Sequence, residues 1–377
     1  MMIMLLNQKY EIFPTEDQKE TLDCWLQYCR QTYNAALLDK QRKYKQSKTS
    51  YNRFDMQRQL IMDKEKYHFL KELPAQPLQE VFIRLHKSFT KFFRKEAGYP
   101  KIKKYKDYNS MTFPQFGFKP NTTHRYAASF SDNGKLRLSK LGEIAINMHR
   151  TIDGSIKQLI IKRQGNRWYA IFCVERQALP IDIDKNRAVG IDVGLNKYAV
   201  LSNKASFENP RFLIKTEKKL KKAQRKLAKM KKGSSNFAKR VIKIQQLHEK
   251  VSNQRRDFLH KLSYRLSNDY SIITVENLNI RNMVKNKRLS KSISDAGWGM
   301  FRSMLFYKCE REGGLLIKVE PAFTTQDCSS CGTSVKKSLS IRTHICKKCG
   351  IILDRDHNAS LNILQRGLAQ LDQHVSR

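Results

Sequence analysis

The hydrophobic pattern at the beginning of the chain predicts a strand followed by a helix. Residues 4–13 have the pattern of a strand that ends at Pro14, and Thr15 with Gln18 matches the capping box that begins many helices. Apolar residues then recur at helical spacing, in the order Leu22, Trp25, Leu26, Cys29, Tyr33 and Leu37. We therefore expect a strand, a short turn and an amphipathic helix.

Two further helical patterns follow before the chain changes character. One runs through residues 54–72, and the other begins near Leu78 and ends near Gly98. The second carries a stripe of large apolar residues at helical spacing, namely Leu78, Phe82, Leu85, Phe89, Phe92 and Phe93. Such a stripe is more typical of a core than of a surface that stacks on bases, so we expect a small helical module.

The pattern then favours strands. After a basic stretch at residues 100–106, Asn133-Gly134 and Gln164-Gly165-Asn166 each separate two strand-like runs, which indicates hairpins and a small β-barrel up to about residue 180. A new unit begins at residue 187, where two short apolar strands surround a glycine-containing turn. A long basic helical region follows at residues 215–266, with a break at residues 233–235.

Composition adds a polyanionic partner to this picture. The chain has 377 residues, with 73 Lys plus Arg against 34 Asp plus Glu, so its formal net charge is +39. Phosphates relieve the self-repulsion of such a chain, so nucleic acid is the expected partner. A solvated basic surface is the simpler alternative, and packaging of the ribosomal or chromatin type is another.

The sequence predicts no membrane segment. No segment approaches the ~20 apolar residues of a membrane span, and residues 1–6 are too short for a signal-peptide core, so we expect a cytoplasmic protein with no membrane partner.

The eight cysteines indicate a metal centre. In that reducing compartment two CxxC pairs, 14 residues apart and each followed by Gly, predict a structural Zn²⁺ site at Cys328, Cys331, Cys346 and Cys349. His344 is expected to be a neighbour of this site. The other cysteines, Cys24, Cys29, Cys173 and Cys309, have core patterns.

Three acids stand where apolar residues are expected. Asp192 lies within an apolar strand, Glu276 ends another, and Asp356 enters a C-terminal helix. A lone acid at a strand end is usually a cap or an ion-pair partner, but a buried carboxylate needs a partner or a metal. Brought together by a fold, three carboxylates can hold two Mg²⁺ or Mn²⁺ ions for phosphodiester hydrolysis.

The helical spacing favours Asp356 over Asp354 as the third acid. Asp356 lies three and seven positions before Ala359 and Ile363, which places it on the apolar face that should pack on the sheet. Asp354 follows the strand-like GIIL, where an acid ends the strand, caps the helix or pairs with a base.

Several stretches resemble the TnpB family, the nucleases encoded by certain bacterial and archaeal insertion sequences and related to type V CRISPR effectors. In the second half these are, in the family's order, GIDVGLNKYAVLS, the basic helices ending in NQRRDFLHKLS, ITVENLNI, TTQDCSSCG with ICKKCG, and LDRDHNASLNIL. RLHKSFTKFFRKEAGYPKIKKYK resembles the family's N-terminal part.

The resemblance implies an α+β multidomain protein. It implies a wedge β-barrel (1–13 and 105–184) interrupted by a helical recognition module (14–104). An RNase H-like, RuvC-type α/β nuclease domain (185–322 and 351–377) would be interrupted by a zinc ribbon (323–350). Its implied partners are a guide (omega) RNA and double-stranded target DNA, bound by a monomer, and its implied catalytic acids are Asp192, Glu276 and Asp356.

The expected nucleic-acid contacts fall in two groups. The resemblance places contacts to a target-adjacent motif at Gln76, Gln79, Ser110 and Thr112, for each of which a surface or core role is an equal alternative. The basic helical region adds phosphate contacts at Lys221, Lys222, Arg225, Arg255 and Arg256, with a solvated face as the alternative.

The expected activity is RNA-guided cleavage of double-stranded DNA. Two alternatives are an RNA-guided repressor without cleavage and a protein-only nuclease or transposase of the same fold. Repressor relatives lose catalytic acids, whereas this chain keeps all three, and RNA dependence separates the protein-only nuclease from the guided one.

Overall fold

The computed structural model describes residues 3–181, 183–338 and 341–375. They form two compact units, Ile3–Gln177 and residues 178 onward. The predicted divisions at 13/14, 104/105, 184/185, 322/323 and 350/351 stay predictions. Parts of four predicted segments lie outside the described residues, namely residues 1–2, 182, 339–340 and 376–377.

One antiparallel sheet organises the described residues of the first unit. Its strands are β1 (Ile3–Phe13), β2 (Ser110–Phe113), β3 (Ala128–Phe130), β4 (Leu136–Leu138), β5 (Gly142–Ile146), β6 (Ser155–Gln164) and β7 (Arg167–Gln177). Their order is β2-β6-β7-β1-β5-β4-β3. The segment after edge strand β2 reaches the other edge strand, where the Gly117 N–H donates to Ala128 O at 2.9 Å, so the sheet is nearly closed.

Three helices lie between β1 and β2 in the sequence, α1 (Glu16–Ser47), α2 (Arg53–Lys66) and α3 (Ala75–Phe93). The capping box at the start of α1 is confirmed, since Gln18 N–H donates to Thr15 Oγ1 at 3.3 Å and Thr15 N–H donates to Gln18 Oε1 at 3.1 Å. The second helix is shorter than predicted, because the chain leaves it after Lys66 and forms a separate 3₁₀ turn.

The apolar stripe of α3 is mostly core, as predicted. Leu78, Phe82, Leu85 and Phe89 are buried in a cluster that continues through the sheet. The helix ends at Phe93, earlier than the predicted Gly98, and the last residue of the predicted stripe, Phe93, is 72% exposed.

The second unit is built on a mixed sheet. Its strands are β8 (Ala188–Val193), β9 (Lys197–Leu201), β10 (Ser206–Glu208), β11 (Ile272–Glu276) and β12 (Leu315–Val319), in the order β10-β9-β8-β11-β12. The neighbours β8, β11 and β12 are parallel, whereas β9 and β10 are antiparallel additions beside β8.

Helices cover this sheet, and a short hairpin precedes the last of them. The helices are α4 (Phe212–Ala228), α5 (Ser235–Asp269), α6 (Ile280–Met283), α7 (Ser290–Ala296), α8 (Trp298–Arg311) and α9 (Arg355–Val375). The hairpin strands are β13 (Thr343–Ile345) and β14 (Ile352–Asp354). The predicted break in the basic helical region is confirmed, since it separates α4 from α5. No described helix is long and apolar enough to cross a membrane.

Alternation along the central strands decides which residues meet which helix. Val189 and Ile191 of β8 and Ile273 and Val275 of β11 pack in one cluster with α5, α7 and α8. Successive strand residues point to opposite faces. The residues between them therefore face α9, which packs against Ile272 on that side.

Two glycines allow α9 to lie directly on the strands. A Cβ at Gly190 of β8 would stand 2.6 Å from the backbone N of Leu364 and would overlap the carbonyl oxygen of Ser360. A Cβ at Gly367 of α9 would overlap the side chain of Thr274 in β11, 2.8 Å from its Cβ. No larger side chain fits at either contact without moving the helix.

Replacement of Gly190 by Ala should therefore push α9 away from β8. We expect a loss of at least about 1–3 kcal/mol in the free energy of unfolding, the usual cost of overpacking. Denaturant unfolding of the full chain measures it.

Gly299→Ala is the matched control, because nothing lies within 4 Å of the added Cβ and Ala favours a helix. An unchanged unfolding midpoint for Gly190→Ala would contradict the close packing.

Candidate functional site

Two of the predicted acids meet at one edge of the second sheet. Asp192 is the penultimate residue of β8, and Glu276 is the last residue of β11. These parallel neighbours pair with Val275 opposite Ile191, so Asp192 and Glu276 stand level at the next position. Alternation puts both carboxylates on the face that α9 covers. The fold therefore brings together residues that are far apart in the sequence.

Asp356 enters the same neighbourhood from the first turn of α9, and Asp354 caps that helix. Asp354 Oδ1 accepts the N–H of Asp356 at 2.9 Å and that of His357 at 3.1 Å. The Asp356 carboxylate instead faces two guanidinium groups, with N–O distances of 3.2 Å to Arg355 and 3.6 Å to Arg342. The capping role that the sequence indicated for Asp354 is thus confirmed.

Asp192 carries the least compensated charge of the three. Burial raises the pKa of its carboxyl well above the usual range, and the neighbouring Glu276 and Asp356 raise it further. Among the described residues the Asp192 carboxylate forms no hydrogen bond or salt bridge, and only the charge of Arg355 lowers the pKa of its carboxyl. A buried anion in that position is costly, and a bound cation would offset the cost.

Glu276 is held by a hydroxyl group. Thr324 Oγ1 donates to Glu276 Oε1 at 2.6 Å, and the carbonyl oxygen of Thr324 accepts from Asn362 Nδ2 of α9 at 2.8 Å. Burial raises the pKa of Glu276, while the Thr324 hydrogen bond and the charge of Arg366 oppose the rise. Helix α9 therefore fixes the loop that orients Glu276.

The three carboxylates are more widely spread than the ligands of a single small cage. Within the described residues, one oxygen from each of Asp192, Glu276 and Asp356 cannot be chosen so that all lie within 4.8 Å of one another. Carboxylate oxygens are hard ligands of the kind that Mg²⁺ or Mn²⁺ prefers.

The four predicted cysteines form a compact cluster. The Sγ atoms of Cys328 and Cys349 are 3.6 Å apart, as are those of Cys331 and Cys346, and all four lie within 4.8 Å of one another. Thiolates ~2.3 Å from a tetrahedral Zn²⁺ lie ~3.8 Å from each other, so the cluster has the size of a closed structural zinc site. His344 is outside this cluster, as predicted.

Each cysteine pair ends in the tight turn that its glycine predicts. Gly332 and Gly350 have φ values of 73° and 75°, a region that favours glycine. Their N–H groups each donate at 2.8 Å to the carbonyl oxygen of the first cysteine of the pair, Cys328 or Cys346. The two turns hold the thiols at one point.

A stripe of polar side chains on α9 holds the first of these turns. Asn358, fully buried, accepts the Ser329 N–H at 3.0 Å and donates to Asp327 O at 2.8 Å. Asn362, one turn later, donates to the same carbonyl at 2.7 Å. Sequence reasoning missed this role for Asn362 and missed Thr324 altogether. The signal for the stripe was a pair of amides four positions apart in an otherwise apolar helix face.

The predicted contacts to the adjacent motif lie on α3 and β2. Gln76 donates to Gln115 at 2.6 Å, and Gln79 is exposed. Ser110 is occupied by Arg84 of α3, which donates to its carbonyl oxygen at 3.0 Å. Thr112 is only 9% exposed, which leaves it little surface for a ligand. The structure brings these two elements together, and contact of their residues with nucleic acid stays a prediction.

Five basic residues of α4, with Lys229 directly after it, line one surface groove. Its lining is entirely cationic, from Lys218, Lys221, Lys222, Arg225, Lys226 and Lys229. Lys221 also pairs with Glu217 at 2.8 Å, and that bond, with a second one from Lys291, lowers the pKa of Glu217 to about 2. Most of the cationic charge of the groove therefore remains available to phosphates.

Arg255 has a partner within the protein, and its predicted phosphate contact stays a prediction. Its guanidinium donates to the carboxylate and to the carbonyl oxygen of Asp295, both at 2.6 Å, while Asp295 also accepts the Leu213 N–H at 3.0 Å. This pair ties α4, α5 and α7 together and engages the Arg255 side chain. Arg256 is half-buried, and its predicted contact stays a prediction.

Comparison with known proteins first defines the class of fold. The structure of a Cas12f1–sgRNA–target DNA complex matches with a TM-score of 0.58 and 16% identity, over 93% of this chain and 83% of that one. The family described as "Probable transposase" matches residues 171–287. A "Cas12f1-like, TNB domain" matches residues 298–363, and a "Helix-turn-helix domain" matches residues 1–49, which contain β1 and α1.

Sequence relatives then define the family. A protein of Streptomyces pristinaespiralis named "Putative RNA-guided DNA endonuclease" is 33% identical over 96% of this chain and 89% of its own length. InsQ of Escherichia coli K12, named in the same way, is 32% identical over 80% of this chain and 77% of its own length. A TnpB-like protein of Acanthamoeba polyphaga mimivirus is 27% identical over 54% of this chain and 41% of its own length. This chain belongs to the TnpB family.

Replacement of Cys328 or Cys349 by Ser should lower the zinc content of the purified protein. It should also unfold the segment around the cysteines, because binding of Zn²⁺ supplies folding free energy to so small a unit. Elemental analysis and limited proteolysis measure the two effects.

Cys24 is exposed, so its predicted core position is wrong, and it lies outside the cluster. Cys24→Ser is therefore the matched control and should keep the wild-type zinc content. Absence of zinc from the wild-type protein would refute the assignment.

Proposed function

We propose that this protein is an RNA-guided endonuclease that cleaves double-stranded DNA beside a short target-adjacent motif and is encoded by an insertion sequence. The observation that carries the proposal is that Asp192 and Glu276 lie at the ends of adjacent strands under α9, while Asp356 in the first turn of α9 is near enough to raise the pKa of the buried Asp192 carboxyl. Membership of the TnpB family supports the same activity, because relatives are named for it.

The topology of the second unit supports a RuvC-type nuclease domain. Two antiparallel strands extend a core of three parallel strands, and the acids stand at the carboxyl ends of the two central parallel strands. In open sheets with parallel strands, ligands bind beyond these carboxyl ends. The cysteine cluster lies between β12 and α9 in the sequence, as expected of a ribbon inserted in such a domain.

The acids fit divalent metal ions. Asp192, Glu276 and Asp356 offer hard oxygen ligands, and among the described residues only the charge of Arg355 opposes that of the buried Asp192 carboxylate. Two bound Mg²⁺ or Mn²⁺ ions would stabilise the attacking and leaving oxygens of phosphodiester hydrolysis. Asp192 and Glu276 would bind these ions from the strands, and Asp356 would bind them from the helix. Thr324 would keep the Glu276 carboxylate in the orientation that binding needs.

The charge of the chain supports RNA and DNA as partners. A net charge of +39 favours binding of polyanions, and the groove on α4 offers six cationic side chains to a phosphate backbone. A guide RNA supplies the sequence specificity that such contacts lack. We further propose that the RNA-bound protein is a monomer and acts on DNA in the cytoplasm.

Replacement of Asp356 by Asn should abolish DNA cutting and leave DNA binding intact, because the carboxylate is needed for metal and not for guide pairing. Asp354→Asn is the matched control, since Asn also caps helices well, and it should still cut. The measurement is cleavage of a plasmid whose target matches the RNA sequenced from the purified protein.

Metal binding can be tested without cleavage. Mg²⁺ should raise the Tm of the wild type and not that of Asp192→Asn, because ligand binding stabilises only the state that binds it.

Removal of RNA separates the alternative functions. Full sequence-specific cutting after removal of RNA would replace the guided mechanism with a protein-only nuclease. Guide-dependent binding without cutting by the wild type would leave an RNA-guided repressor.

Thr324→Val should slow cutting by about ten- to a hundredfold, because it removes one hydrogen bond to a charged group, typically worth about 1.5–3 kcal/mol. The Mg²⁺ concentration for half-maximal cutting should rise, since Glu276 loses its fixed orientation. Thr324→Ser keeps the hydroxyl and should restore both.

Zinc content checks that the Thr324 variants fold. If Thr324→Val cuts DNA and depends on Mg²⁺ as the wild type does while Glu276→Gln is inactive, only the orienting role of Thr324 is contradicted. An active Glu276→Gln would contradict the catalytic assignment of Glu276 itself.

A further inference from the structure

The C-terminal end of α3 carries a cluster of aromatic rings that the proposed catalytic site does not use. Phe89 and Phe93 stack with ring centroids 6.3 Å apart, and Phe92 meets Phe93 at 5.3 Å. Tyr99 closes the cluster edge-on, 5.5 Å from Phe89 and 5.2 Å from Phe92. We call Phe92, Phe93 and Tyr99 the aromatic platform, and Phe89 is its buried base.

The platform presents apolar surface to solvent. Phe93 is 72% exposed and Tyr99 42% exposed, whereas Phe89 beneath them is 6% exposed. The base holds the exposed rings in place, so little side-chain entropy would be lost when a flat ligand stacks on them. Exposed rings that form one contiguous apolar surface indicate a binding surface more strongly than a scattered apolar residue does.

The segment around the platform is cationic and not neutralised. Residues 91–106 contain seven basic residues and one acid. The basic ones are Lys91, Arg94, Lys95, Lys101, Lys103, Lys104 and Lys106. In the part of the chain that the structure describes, none of the seven forms a salt bridge. Such a surface repels a basic partner and attracts an anion.

We propose that the aromatic platform stacks on unpaired nucleotides of the RNA that this protein binds. An unpaired nucleotide combines a flat base for the rings with a phosphate for the lysines, and every base offers such a face. Folded RNA presents unstacked bases in loops and bulges, whereas duplex DNA hides its base faces. The inference rests on RNA as a partner and adds to the proposed function the place where unpaired bases stack.

A tryptophan reporter tests the contact directly. The native tryptophans, Trp25, Trp168 and Trp298, are all buried, so the exposed indole of Phe93→Trp is distinguished by its accessibility to iodide. The full chain, freed of RNA at high salt, is titrated with an oligouridylate of about 12 nucleotides. Stacking should quench the new emission at least about twofold and protect it from iodide.

Phe54→Trp is the matched control. Phe54 on α2 is 60% exposed, and the guanidinium of Arg53 lies 4.8 Å from its ring, so it shares the exposure and the nearby cation without the ring cluster. Its emission should change little. Equal quenching of both reporters, or none at Phe93→Trp, would overturn the proposal.

Two other probes separate competing occupants. Stronger quenching by an oligodeoxythymidylate than by an oligouridylate of the same length would indicate that the platform binds a displaced DNA strand. That result would overturn RNA as the occupant. A blue shift with phosphatidylglycerol vesicles and no response to oligouridylate would make the surface a membrane contact and overturn it as well.

Affinity supplies the second measurement. Phe93→Leu keeps an apolar side chain but has no ring, and it should weaken oligouridylate binding about five- to tenfold at moderate salt, whereas Phe93→Tyr should bind as the wild type does. Unchanged binding of Phe93→Leu would count against stacking. These readouts do not need cleavage, so a wild type that fails to cut DNA would end the proposed function while leaving this inference standing.

Discussion

The close contact between α9 and the strands β8 and β11 sets the positions of all the candidate catalytic groups. Gly190 and Gly367 leave no room for a side chain, so the helix backbone rests directly on the sheet. Asp356 is thereby held at the helix N-terminus, on the same face as Asp192 and Glu276. The same helix reaches the cysteine turn through Asn358 and Asn362, so one packing contact orients both centres.

This arrangement concentrates negative charge in a low-dielectric place, in a chain that is otherwise strongly cationic. The pKa of Asp192 rises through burial and through its two acidic neighbours, and Arg355 only partly opposes the rise. Arg366 acts in the same way on Glu276. Sites built for function commonly keep such destabilising charges, and the surrounding packing must offset them. A cation bound beside Asp192 would lower this cost.

Local features of this fold could be predicted from the sequence, and features made by contacts between distant segments could not. The capping box at Thr15, the turn at Gly165 and the glycines after each cysteine pair depend on neighbouring residues only. Thr324 lies 48 positions from its partner Glu276, and no periodicity connects them. Arg255 was expected on phosphate because a basic helix face looks uniform in sequence, and only the fold reveals Asp295 beside it.

The cysteine cluster is connected to the candidate catalytic site through the protein. The turn that begins at Cys328 is bound to α9 by Asn358 through Ser329 and Asp327. The preceding residues lead back to Thr324, whose hydroxyl holds Glu276. Arg366 strengthens this link, because it donates to Asp327 Oδ2 at 2.9 Å while its charge acts on Glu276. Loss of the cluster would thus free the loop that orients the candidate catalytic carboxylate of Glu276, so a structural metal site would control the geometry of a second site.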